Sequence, residues 1–182
     1  MPAAVLALVV PMASVAAPST KSVADPAGDV VYTPIEGYTA TGPPAWADLL
    51  GVTYTVSKGD NLAVTFQVAD APDVGTVGSG WSVRGTVKLA DGREKRFTAG
   101  VAATGSNTSA YVGSKSCGAG STFSAATNVV VLKVDFSPCV EGPAAVRLYG
   151  EGVVSGAKAA GKDTYYQPVY VDLTASKNLR LR

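Results

Sequence analysis

The chain contains no histidine, and that absence removes more chemistry than any residue present adds. Without imidazole there is no Ser-His-Asp or Cys-His nucleophile system and no imidazole metal site. Chemistry run by carboxylates, Lys or Tyr stays open, as does metal binding by hard oxygen ligands. A charge surplus is missing too. Lys and Arg number 15 against 14 Asp and Glu, so the net charge gives no electrostatic footprint for nucleic acid or an anionic membrane, and polyanion binding is not expected. No apolar run reaches the ~20 residues of a membrane-spanning helix. Isoleucine occurs once and leucine 11 times, whereas valine occurs 27 times and threonine 16 times. That β-branched excess favours the pleated surface of strands over helices.

What is present begins with a short apolar run at residues 3–10, broken by Pro11 and followed by the small residues Ser14-Val15-Ala16. This is the pattern of an export signal over residues 1–16, and it predicts a secreted, released protein. The first positive charge is Lys21 rather than a residue ahead of the run, which leaves an apolar N-terminal strand as the other reading. In an exported chain, two cysteines are most simply a disulfide, Cys117 to Cys139; two buried thiols are the alternative.

Residues 17–47 are rich in Ala, Pro, Gly, Ser and Thr, with Thr41-Gly42-Pro43-Pro44 as a breaker. They read as an extended arm holding one short strand around 30–33. The period then becomes two: Leu50, Val52, Tyr54 and Val56 alternate with small and polar residues, as do Leu62, Val64, Phe66 and Val68. The two segments form a hairpin across residues 57–61. A second hairpin turns at Asp91-Gly92, its polar faces carrying Arg84, Lys88 and Lys95. Later strands are expected at 109–112, 128–136, 144–150 and 165–173. Val129-Val130-Val131-Leu132 reads as a central strand covered on both faces. About eight strands without a helical period predict an all-β fold, a two-sheet antiparallel β-sandwich with its core in residues 48–175 and a basic tail at 176–182.

The string Asp25-Pro26-Ala27-Gly28-Asp29 places two carboxylates around a glycine. With Asp48 arriving at a strand start, the three could present oxygens to one Ca²⁺; ordinary Asx turns are the alternative. That string, a loop, Asp48 before an alternating strand, then Gly59-Asp60-Asn61-Leu62 and a second alternating strand together resemble a known family. It is that of the calcium-stabilised jelly-roll modules related to family-9 carbohydrate-binding modules and to the C-terminal domains of some secreted glycosidases. Ser137-Pro138-Cys139-Val140 and Ala145-Val146-Arg147-Leu148 extend the likeness, which covers mainly residues 25–69 and 128–150. The resemblance implies a jelly-roll-like sandwich with a structural Ca²⁺ near Asp25, Asp29 and Asp48, and sugar binding beyond it. The family's paired exposed aromatics have no residue-by-residue match here.

From the residues themselves, Trp46, Tyr165, Tyr166 and Tyr170 are the candidates for a sugar-stacking surface. Trp81 opens an alternating strand and belongs in the core, and Trp46 has a second reading as a seal between arm and sandwich. Glu36, Glu94, Glu141 and Glu151 are the glutamates available to an acid/base pair, but none has a diagnostic context. The sequon Asn107-Thr108-Ser109 is read as chance. The functional expectation is a secreted, non-catalytic module binding a polysaccharide or cell-envelope glycan. The alternative is an adhesion or inhibitor-like protein that engages a protein partner through loops at 70–80 and 156–162. Neither nucleic acid nor a membrane span is expected.

Overall fold

The computed structural model describes residues 18–32, 48–57, 61–70, 79–102, 107–141, 145–155, 168–173 and 177–180. The export signal expected at 1–16, Glu36, Trp46, Tyr165, Tyr166 and the loop at 156–162 lie outside these residues. So does the loop at 70–80 apart from its first residue and its last two. Thirteen strands carry the described chain: β1 Ser19–Ala24, β2 Val31–Tyr32, β3 Leu49–Ser57, β4 Asn61–Val68, β5 Ser79–Lys88, β6 Glu94–Ala102 and β7 Thr108–Val112, then β8 Lys115–Ser116, β9 Gly118–Ser124, β10 Val129–Asp135, β11 Ala145–Ser155, β12 Pro168–Leu173 and β13 Lys177–Arg180. One turn of 3-10 helix, Ala125–Thr127, joins β9 to β10.

The strands form two antiparallel sheets, as the composition predicts. The smaller has the order β1-β3-β4-β10-β9, and the larger β2-β12-β11-β5-β6-β7-β8. β13 pairs with the N-terminal part of β11, while β5 runs along the opposite edge of that strand from Ala145 to Val154. Period two is the reason for the sandwich: each strand has one apolar face, and two such faces must bury each other. The smaller sheet contributes Val52, Tyr54, Leu62, Phe66 and Leu132, and the larger Trp81, Val83, Phe97, Val112 and Leu148, all buried. Trp81 packs edge-on against Phe123, with ring centroids 5.7 Å apart, and Phe97 lies 5.1 Å from Phe136.

Four expectations are corrected. The arm supplies a six-residue edge strand, β1, because its backbone completes the β3 edge although only Val23 of its side chains is buried. Part of the basic tail, β13, is likewise a paired strand. β10 is central, but it is not covered on both faces. Val130, Leu132 and Val134 are buried while Val129 and Val131 are half-buried, with Thr65 and Thr122 flanking Val131 in the register. Finally, Lys95 does not share a face with Arg84 and Lys88: it sits opposite inward-facing Val87, and the outward residue is its neighbour Arg96.

Of the passages between sheets, two follow β8 and β10, and the Cys117–Cys139 disulfide, with Cα atoms 5.0 Å apart, ties these two together. The turn that presents Cys139 is closed by the Cys139 and Val140 amides donating to the Phe136 carbonyl, at 3.0 and 2.8 Å.

Candidate functional site

Three places collect polar chemistry. The first is the corner where the sequence brings aspartates together. The Gly28 amide donates to both carboxylate oxygens of Asp48, each at 3.0 Å. Gly28 has φ +81°, a backbone conformation that a side chain would disfavour. The Asp25 amide donates to the Leu50 carbonyl at 3.2 Å, and the Ala69 amide to the Asp48 carbonyl at 3.0 Å. Asp48 therefore does reach the Asp25–Asp29 turn, but as a latch on a backbone N–H. Among the described residues, no three His, Cys, Asp or Glu side chains form a group that could hold a metal ion.

The second place is a cleft of about 220 Å³ at the tip of the β5–β6 hairpin, lined by Leu89, Asp91, Arg93, Lys95 and Lys115 and by residues 139–141 of the disulfide turn. Asp91 is matched closely by Arg93, whose amide donates to one carboxylate oxygen at 3.0 Å and whose Nε donates to the other at 2.6 Å. The Arg93 amide and then its side chain hold the Asp91 carboxyl below its usual 3.8. That direction is opposite to the one a general acid needs. Lys115 Nζ lies 4.0 Å from Glu141 Oε1 at the rim. Of the remaining glutamates named from the sequence, Glu94 opens β6 opposite Lys88 and Glu151 stands in β11 opposite Ser82. Glu94 and Glu151 stand at separate register positions, and Glu141 lies between β10 and β11.

The third place is the outward face of the larger sheet, and it holds what composition concealed. Buried residues alternate with outward ones, so the register fixes the grid. Arg96, Thr86, Arg147 and Asn178 are direct neighbours across β6, β5, β11 and β13, and all four are exposed. One step along lie Tyr111, Thr98 and Arg84 on β7, β6 and β5. One step the other way are Glu94 and Lys88. Tyr111 is 45% exposed, the one large hydrophobic so presented among the residues whose side chains are described. The outward face of the smaller sheet differs. It carries hydroxyl pairs such as Thr20 with Thr55 at 3.2 Å and Ser22 with Thr53 at 2.9 Å, with Lys133 and Asp135 the charged side chains on β10.

Trp81 is in the core as its alternating strand predicts, 1% exposed, and of the aromatic candidates Tyr170 takes a backbone place in β12 opposite Tyr32. Tyr111 escaped notice although it lies between Ala110 and Val112, two buried residues, a parity the sequence displays. The basic face was also readable in part. Residues 1–75 hold two of the 15 basic and seven of the 14 acidic residues, leaving 13 basic and seven acidic in 76–182. The near-zero total cancels that asymmetry.

Fold and site together define an antiparallel β-sandwich with one basic, aromatic-bearing sheet face and one hydroxyl-lined face. No protein-family model, no curated protein and no solved structure matches the chain. Among the described residues, no helix is long and apolar enough to cross a membrane.

Proposed function

We propose that this protein is a secreted, non-catalytic binding module that holds carbohydrate or another cell-envelope component on the outward face of its larger sheet. One observation carries the reading: the exposed Tyr111 ring stands in a row with Thr98 and Arg84, beside the row of Arg96, Thr86, Arg147 and Asn178. An aromatic face with polar neighbours suits a pyranose ring, and an open sheet face suits a polymer that is held rather than cut. Secretion is supported by the disulfide, which persists in oxidising compartments, and by the signal-like residues 1–16.

Retention of the purified protein on insoluble cell-envelope polysaccharide tests the reading, with the protein bearing Tyr111→Ala run beside it. Retention that falls several-fold in the variant supports the proposal, since an aromatic contact contributes about 0.5–1.5 kcal/mol beyond burial. Equal retention, or none for either protein, overturns it. Calcium belongs to the proposal as a clamp on the Asp25, Asp29 and Asp48 corner, where it would have to draw all three carboxylates around the turn. A melting midpoint raised by Ca²⁺ over EDTA supports the clamp; an unchanged midpoint leaves Asp48 with its latch role alone.

A further inference from the structure

The geometry points to a carboxylate-bearing polysaccharide, of the uronate type, as the ligand of the larger sheet's outward face. This inference rests on the reading that this face is the binding surface. Its described outward positions include Arg84, Lys88, Arg96 and Arg147, against Glu94, with Glu151 at the end of the grid opposite Ser82.

The spacing matters as much as the sign. Arg96 and Arg147 share one row with Thr86 between them, which sets their strands about 10 Å apart. Cations spread singly over a grid, with hydroxyls between them, match single negative charges repeated along an extended chain. A compact phosphate ester would call for cations that converge. Guanidinium forks suit planar carboxylates, and the intervening Thr86, Thr98 and Asn178 suit sugar hydroxyls.

The same face fits other polyanions poorly. Sequence-tolerant binding of single-stranded nucleic acid uses successive stacked bases, and among the residues whose side chains are described Tyr111 is the one exposed large aromatic. Docking into a membrane interface calls for an apolar face that enters the headgroup region, which a grid of arginines and threonines lacks.

Affinity electrophoresis through gels containing polygalacturonate, a neutral glucan or no polymer is the test, run on the intact protein and on the variants Lys88→Gln/Arg96→Gln and Lys133→Gln. Both sets of positions are exposed, and a thermal melt verifies that each variant is folded. Retardation by polygalacturonate that weakens with salt, falls about tenfold in Lys88→Gln/Arg96→Gln and persists in Lys133→Gln supports the inference. Equal, salt-insensitive retardation by the neutral glucan overturns the charge assignment while leaving the broader binding role standing. No retardation by either polymer, together with no retention on envelope polysaccharide, overturns both. Tighter binding of duplex DNA or of anionic phospholipid vesicles than of polygalacturonate overturns the choice of a glycan.

Discussion

Replacing Gly85 by alanine is expected to be among the most damaging single-methyl changes in the protein. Gly85 lies on β5, opposite Phe97 of β6 and Leu148 of β11. A Cβ built there stands 1.7 Å from the Arg147 carbonyl oxygen, 2.8 Å from its carbonyl carbon and 3.1 Å from the Leu148 Cα. All three are backbone atoms, so no side chain can swing aside. Clearing the oxygen to 3.0 Å demands that β5 and β11 part by about 1.3 Å, the difference between the two distances. A shift of that size takes the neighbouring ladder bonds beyond hydrogen-bonding reach, and two or three such bonds contribute roughly 1 kcal/mol each. Overpacking of the core adds roughly 1 kcal/mol or more. The total of about 3–4 kcal/mol corresponds to a melting midpoint lower by roughly 6–16 °C for a domain of this size. Gly120 on β9 is the control, because a Cβ there meets nothing within 4 Å and Gly→Ala at an unstrained site changes stability by less than about 1 kcal/mol. Urea unfolding of both variants measures the difference. Equal midpoints for Gly85→Ala and Gly120→Ala would refute the close approach of β5 and β11 on which the larger sheet depends.

Replacing both Cys117 and Cys139 by alanine opens a loop spanning a sequence separation of 22, and by the chain-entropy relation costs about 3 kcal/mol in urea unfolding; an unchanged midpoint would deny the bond its stapling role. Asp48→Ala removes the acceptor of the Gly28 amide and costs about 1 kcal/mol, whereas Asp48→Asn, which retains one acceptor oxygen, loses less. Asp91 and Asp135 sit below 3.8 because of the Arg93 amide and side chain and of the Ser137 hydroxyl and amide, respectively. Depressed carboxylates contribute above their unfolded value and lose that contribution as pH falls through the folded one. Stability measured below about pH 4 should therefore decline less steeply in Asp91→Asn/Asp135→Asn than in the parent chain.

The sequence displayed those strands whose one buried face imposes a period of two. β3 and β4 alternate through Val52, Tyr54, Leu62 and Phe66, and burial dictates their register residue by residue. β1 and β9 were not visible, because Ser-Thr-Lys-Ser-Val-Ala and Gly-Ala-Gly-Ser-Thr-Phe-Ser have little apolar period of their own. Their pairing is supplied by neighbouring edges. The disulfide followed from counting cysteines in an exported chain, while its position at two sheet-to-sheet passages needed the topology. The candidate site was hidden for a different reason. A sheet face is assembled from strands far apart in sequence, so Arg96 and Arg147 become neighbours of Thr86 only once the order β6-β5-β11 is known. A net charge of +1 also averages a basic face against acidic loops elsewhere.

Amide chemical-shift mapping during titration with polygalacturonate tests the binding face most directly. The account predicts that the perturbed amides cluster at Arg84, Thr86, Lys88, Arg96, Thr98, Tyr111 and Arg147 while those of Thr53, Thr65 and Lys133 stay in place. Perturbations confined to the smaller sheet, or to the cleft between Asp91 and Glu141, would contradict it.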